Sequence, residues 1–155
     1  MISFSLSTLD EKLAATLEPG APSPRVRLET MKKCKDAGFL VGINAIPSLP
    51  YISDSAGQLE EMVAKVKSYG ADYILIGGLT LYGSGQADSK TLYYKFLERT
   101  FPGKIKDYQT LYRDFFMPSK TYLRQLDERA EGLCRKYDIP RKITGSLNVF
   151  LPGGV

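Results

Sequence analysis

The stretch Ile2-Ser3-Phe4-Ser5-Leu6-Ser7 puts a hydroxyl at every second position. In an extended chain successive side chains point to opposite faces, so Ser3, Ser5 and Ser7 share one face and Ile2, Phe4 and Leu6 the other. A strand covered on both faces of an α/β sheet is apolar on both. A serine face therefore indicates either a polar cavity or an edge strand with one face wet. In a cavity, the hydroxyls would hold ribose or carboxylate groups of a ligand. A second group, the pair Gly42 and Asn44, lies in the apolar run from Phe39 to Ile46. Glycine lets a planar ligand approach the backbone, and Asn44 carries donors and an acceptor suited to a purine edge or a carboxylate. The serines and this pair belong near the carboxyl ends of adjacent strands, where α/β sheets and barrels bind ligands.

Other chemistry is excluded by what the chain lacks. With no histidine there is no Ser-His-Asp or Cys-His nucleophile and no imidazole ligand. The cysteines, Cys34 and Cys134, are 100 positions apart, match no metal spacing, and read as buried structural thiols in helices. An iron–sulfur cluster needs three or four thiolates, so this chain alone does not bind one in the usual way. Gly77-Gly78 and Gly83-Ser84-Gly85 form a flexible exit from a strand and no phosphate-cradling fingerprint. Glu18 and Arg27 pair with each other, touch a ligand, or are plain surface charges, which is the usual case.

The elements that must position these residues follow from periodicity and punctuation. Ile2 to Ser7 is a strand, and Asp10 to Glu18 a short helix stopped by Pro19-Gly20. Ser23 caps a helix that begins at Pro24 and runs to about Ala37, closed by Gly38. Phe39 to Ile46 is a second strand, after which Pro47 and Pro50 enforce a loop. Asp54 or Ser53 caps a helix from Ser55 to Tyr69 with Leu59, Met62, Val63 and Val66 as its apolar stripe. Asp72 to Gly78 is a third strand, giving a βαβαβ order and a parallel sheet. Beyond Asp88 the pattern is helical: one helix around Leu92, Phe96 and Leu97, a second from Asp107 to Phe116, and a third from Ser119 to Tyr137. The third turns Leu123, Leu126, Ala130, Leu133 and Cys134 to the core. From Ile143 to Val155 the chain reads as a short extended piece with a frayed end.

Charge divides the chain. Residues 1–89 hold 8 Lys/Arg against 10 Asp/Glu, whereas residues 90–142 hold 13 against 7, with six of the ten tyrosines. Basic groups interleaved with aromatics suit phosphates and unpaired bases; the alternative is a solvated helix face with tyrosines packed inward. No apolar run approaches the ~18 residues of a membrane span, and Met1-Ile2-Ser3 does not open a signal peptide, so the expected compartment is the cytoplasm.

The ordered segments Phe4-Ser5-Leu6-Ser7-Thr8-Leu9-Asp10-Glu11, Leu17-Glu18-Pro19-Gly20-Ala21-Pro22-Ser23-Pro24, Arg27-Leu28-Glu29 and Asp36-Ala37-Gly38-Phe39 carry a resemblance. So do Pro47-Ser48-Leu49-Pro50 leading to Asp54, and in the tail Tyr93-Tyr94-Lys95-Phe96-Leu97 and Cys134-Arg135-Lys136-Tyr137. Together, over roughly residues 3–142, the chain resembles the later half of radical S-adenosylmethionine enzymes of the spore-photoproduct-lyase, or DNA repair photolyase-like, type. The resemblance implies a partial (β/α)6 barrel whose fourth, fifth and sixth strands are the three read above. Residues 1–88 would be the second half of that barrel, 89–142 a basic helical extension and 143–155 a tail. The family's C-x-x-x-C-x-x-C loop would lie upstream of Met1.

By the same resemblance, a [4Fe–4S] cluster in the full-length parent cleaves S-adenosylmethionine reductively to a 5′-deoxyadenosyl radical, and neither group is expected to bind stably to this chain alone. Ser5, with Ser3 or Ser7 as alternatives in register, matches a polar position near the ribose and methionine moiety. Gly42, Asn44 and Ala45 match the strand beside the adenine, with Ile46-Pro47 standing where a second glycine is usual. The expected function is the cofactor- and substrate-contacting part of a lyase-like radical enzyme acting on nucleic acid. Its expected partners are the missing N-terminal half, or a second copy through an exposed strand edge, and nucleic acid at residues 90–142. The rival reading is a non-catalytic α/β module that docks nucleic acid or protein through its basic helices; a barrel fragment binding an ordinary metabolite is a third.

Overall fold

The computed structural model of the protein describes residues 1–143, so the expected tail lies outside the described residues after Ile143. Three parallel strands, β1 (Ile2–Ser5), β2 (Val41–Ser48) and β3 (Tyr73–Gly78), form an open sheet in the order β1-β2-β3. Helices α1 (Glu11–Leu17) and α2 (Pro24–Asp36) connect the first two strands, and α3 (Ala56–Ser68) the second and third. After β3 come α4 (Ser89–Thr100), a 3-10 turn (Pro102–Lys104), α5 (Ile105–Leu111) and α6 (Lys120–Lys136). The mixed α/β class, the parallel sheet and the helical C-terminal part are as expected; the sheet is not closed into a barrel.

Register explains which face is dry. Ile2, Phe4 and Val41, Ile43, Ala45 align with Ile74 and Ile76 across the sheet. Val41, Ile43 and Ile74 are fully enclosed in a core with Leu28 and Met31 of α2 and Leu59, Met62, Val63 and Val66 of α3. Each such side chain contributes about 1.5–3 kcal/mol of burial. On α6 the buried row is Tyr122, Leu126, Ala130 and Cys134, at four-residue intervals; Leu123 and Leu133, expected in the core, flank it half-buried. The outer edge of β3 is taken up where the Ile74 N–H donates to the Pro140 carbonyl at 3.0 Å.

Several boundaries differ from expectation for local reasons. The first strand ends at Ser5 because the Ser7 carbonyl accepts from the Ser53 hydroxyl, and Thr8 Oγ1 accepts from the Asp10 N–H as the chain turns into α1. The second strand starts at Val41 because Gly38, at φ 86°, and Phe39 still donate to the last turn of α2. It continues through Pro47 to Ser48, where a bulge accommodates the ring, so the proline does not enforce the expected loop. Ser55, not Asp54 or Ser53, caps α3 in a reciprocal capping box with Gln58. Helix α5 starts earlier and ends earlier than Asp107 to Phe116, because Pro102 opens the turn before it and Tyr112 is pinned to the Leu79 carbonyl at 2.8 Å.

Candidate functional site

The second face of the sheet carries most of the residues singled out by their types. Ser3 aligns with Gly42 and Tyr73, and Ser5 with Asn44 and Leu75. Because aligned residues of a sheet share a face, Ser3, Ser5, Gly42 and Asn44 stand together. Ser3 and Ser5 are exposed and Asn44 is half-buried. Ser7 lies past the strand end, half-buried against a crevice of about 10 Å³ beside Thr8 and Arg27. Ala45 belongs to the opposite face, 2 % exposed in the core, so it does not join Ser3, Ser5, Gly42 and Asn44.

Gly42 has a partner that spacing did not reveal. The ring of Tyr73 lies on it, so that a Cβ at residue 42 would come within 2.4 Å of ring carbons. The planar group against this glycine is the protein's own. The Tyr73 hydroxyl and Asn44 Oδ1 are both buried without a hydrogen-bond partner among the described residues.

Arg27 closes the top of β1. Its Nη1 donates to the Ser5 carbonyl at 3.0 Å and to Ser5 Oγ at 3.1 Å, its Nε to the Pro22 carbonyl at 2.8 Å, and its Nη2 to the Glu18 carboxylate. The two charges therefore pair, as one of the alternatives had it. With Arg27 filling an acceptor position on Ser5 Oγ, the hydroxyl proton of this exposed side chain is left to donate elsewhere.

A second constellation was not legible from motifs. Asp54, 5 % exposed, accepts the Tyr51 N–H on Oδ1 and the Tyr122 hydroxyl on Oδ2, each at 2.7 Å. Arg129 Nη1 donates to the Asp54 carbonyl at 2.7 Å, with Nη2 4.0 Å from the carboxylate. Tyr51 is held at φ 61°, where non-glycine residues are rare, with its ring edge-on to Tyr108 and Lys104 Nζ 5.6 Å from its centre. Burial, then Asp107 and Asp54, push the Tyr51 phenol up. The node borders a groove of about 690 Å³ with Ser119, Thr121, Gln125 and Glu128. The signals in sequence were an acid just before α3 and a tyrosine-rich tail, neither of which names a partner.

The six tyrosines of residues 90–142 pack inward. Tyr108, Tyr112 and Tyr122 are buried and Tyr93, Tyr94 and Tyr137 half-buried. Tyr93 and Tyr108 join hydroxyls at 2.9 Å, and Tyr108 donates to the Pro50 carbonyl at 2.7 Å. Burial raises the phenols of Tyr93, Tyr108, Tyr112 and Tyr122 well above the ordinary tyrosine range. They are not stacking platforms; the well-exposed tyrosines are Tyr51 and Tyr82, the latter stacked on Phe116. Lys90, Lys95 and Lys106 are exposed and in no ion pair among the described residues, while Arg124, Arg135 and Lys136 are matched by Glu128, Glu131 and Glu60. Among the described residues no three His, Cys, Asp or Glu side chains converge to hold a metal ion, and no helix is long and apolar enough to cross a membrane. Both cysteines are free thiols.

With the fold class and this open polar face in view, comparison with known proteins gives the following. No family profile and no solved structure matches the chain. Uncharacterized proteins of Mycobacterium tuberculosis (strain H37Rv) and Mycobacterium bovis are each 29% identical over 136 residues, covering 88% of this chain and 39% of the relative. An uncharacterized protein of Acidianus two-tailed virus is 34% identical over 77 residues, 48% of this chain and 26% of the viral protein. The chain thus spans about two-fifths of the length of its mycobacterial relatives.

Proposed function

We propose that this chain is the cofactor- and substrate-contacting later part of a radical S-adenosylmethionine enzyme resembling spore photoproduct lyase. The observation that carries the reading is the sheet itself. It has three parallel strands with helices on one face, while the other face offers Ser5 at the carboxyl end of β1 beside Asn44, which lies mid-strand in β2 and not at its carboxyl end as expected. The share of the mycobacterial relatives that lies beyond the match leaves room for a cluster-binding part.

The residues fit the nucleoside part of the cofactor. Asn44 Oδ1 is a buried acceptor without a donor among the described residues, and Ser5 presents an exposed hydroxyl that accepts from Arg27 and keeps its own proton to donate. The described residues do not supply ligands for the cluster, which must come from thiolates elsewhere. When bound and reduced, cofactor and cluster together supply the radical chemistry; this chain binds, orients and excludes water.

The test is anaerobic binding of S-adenosylmethionine to the polypeptide encoded by the uninterrupted reading frame. Ser5→Ala and Asn44→Ala are each expected to weaken binding about 10-fold, the size of one lost hydrogen bond to a buried partner. Unchanged affinity in both variants would sink the assignment. The alternative of a module docking a polyanion through Lys90, Lys95 and Lys106 has in its favour that these lysines are exposed and in no ion pair among the described residues. It predicts oligonucleotide binding that falls steeply with salt and ignores S-adenosylmethionine.

A further inference from the structure

The groove of about 690 Å³ beside Asp54 falls within the size range of small-molecule sites, about 300–1,000 Å³. Thr121, Gln125 and Arg129 follow at four-residue intervals on α6 and make one wall. Thr121 and Gln125 are exposed, and each offers both a donor and an acceptor. Tyr51 makes another wall, 46 % exposed, its backbone fixed by the N–H bond to Asp54 Oδ1. Leu111 adds an apolar patch to the lining.

Arg129 is the group held most firmly for an incoming ligand. Its Nε donates to the Gln125 carbonyl at 3.2 Å and its Nη1 to the Asp54 carbonyl at 2.7 Å. Both acceptors are neutral backbone oxygens, so the guanidinium is positioned without a hydrogen-bonded counter-ion. Nη2 stands 4.0 Å from the Asp54 carboxylate, beyond hydrogen-bond reach, while that carboxylate accepts from the Tyr51 N–H and the Tyr122 hydroxyl. A guanidinium fork already fixed in place loses little freedom when it takes up an oxyanion.

The surrounding charges decide which oxyanion. Lys104 is committed to Asp107 at 3.6 Å, and Glu128 faces Arg124 at 3.8 Å. With these pairs matched, one guanidinium stands against the nearby carboxylates of Asp54 and Glu128. A dianion such as a terminal phosphate would meet both carboxylates, whereas a single negative charge is better tolerated.

We propose that this groove binds a small organic monocarboxylate with an apolar ring or stem. The carboxylate sits on the Arg129 fork, the stem lies against Tyr51 and Leu111, and polar substituents meet Thr121 and Gln125. The site uses neither Ser5 nor Asn44 and does not depend on the radical chemistry proposed above.

The experiment titrates benzoate, its neutral isostere benzamide, and phenyl phosphate into the polypeptide of the uninterrupted reading frame, read by backbone amide NMR. Benzoate is expected to shift the Thr121, Gln125 and Arg129 signals saturably with a Kd of about millimolar size, the scale for so small a ligand. Benzamide should bind at least about 10-fold more weakly, because it lacks the charge-assisted pair. Arg129→Lys keeps the charge but loses the fork and should weaken benzoate about 10-fold. Gln125→Glu, at an exposed side chain that leaves the Arg129 anchors in place, adds a like charge to the groove. It should weaken benzoate about 10-fold and leave benzamide unchanged, so the test stands even if the Arg129 variant does not fold. No saturable shift at about 20 mM benzoate, benzamide matching benzoate, or benzoate indifferent to Gln125→Glu overturns the inference. Tighter binding of phenyl phosphate would assign the groove to a phosphate and overturn the stated class. S-adenosylmethionine enters none of these readouts, so this inference and the proposed function fail separately.

Discussion

Replacing Tyr122 by phenylalanine tests the node that fixes the loop after β2. The hydroxyl donates at 2.7 Å to Oδ2 of Asp54, a carboxylate only 5 % exposed. The ring stays and no cavity opens, so the loss is that of one hydrogen bond to a charged acceptor, about 1.5–3 kcal/mol. The carboxylate keeps the Tyr51 N–H, also at 2.7 Å, and Arg129 at 4.0 Å, which sets the expected cost near the lower end, about 2 kcal/mol. For a domain of this size that is a fall in melting temperature of roughly 4–8 °C. Asp54→Asn should cost at least as much, because it removes the charge that both donors and Arg129 address. Thermal and urea unfolding of the single and double variants form a cycle, in which a shared contact gives a coupling of about 1 kcal/mol or more. A change below about 1 °C for Tyr122→Phe, or strict additivity in the cycle, would refute the reading of Asp54 as the pin of this loop.

Gly42→Ala forces a Cβ to within 2.4 Å of the Tyr73 ring and should cost about 1–3 kcal/mol, read by urea unfolding; a Tyr73→Leu background should return much of it. For Asp72, burial raises its carboxyl, but hydrogen bonds from the Lys35 ammonium and the Val41 N–H outweigh that and hold it below its ordinary value. A depressed folded value means this stability is complete above the unfolded pKa of about 3.9 and is lost as pH falls through the lower folded value. Asp72→Asn should therefore flatten the acid limb below about pH 4 in thermal melts at stepped pH, and an unchanged limb would count against the pairing. Burial pushes the Cys134 thiol up to about 11, from the usual 9.0. Alkylation at pH 8 should label Cys134 roughly 100-fold more slowly in the native protein than in urea; equal rates would place the thiol in solvent.

Punctuation and periodicity made the sheet and its helices legible. Ser23-Pro24, the glycines at 38 and 70, and the stripe from Leu59 to Val66 act within one turn of their own position, so their effect is readable without tertiary knowledge. Strand parity likewise brought Ser3, Ser5, Gly42 and Asn44 to one face. What was not legible depends on distant partners. Tyr73 over Gly42 joins residues on neighbouring strands, and the Asp54–Tyr122 bond spans 68 positions. Asp54 looked like a helix cap because acids often are; its carboxylate is instead spent on the Tyr51 backbone and Tyr122, and Ser55 takes the cap. For the basic tail, stacking platforms and inward-packed tyrosines were both open because composition carries no sidedness; the fold turns all six tyrosines inward, the second of the two readings.

The central claim is tested most directly by anaerobic reconstitution of the polypeptide of the uninterrupted reading frame with iron and sulfide. It would be reduced in the presence of S-adenosylmethionine, and 5′-deoxyadenosine release quantified. The account predicts release that depends on the reductant and falls in Ser5→Ala and Asn44→Ala. No 5′-deoxyadenosine from a correctly folded, reduced protein, or a native product of only the 17.2 kDa of this chain, would contradict it.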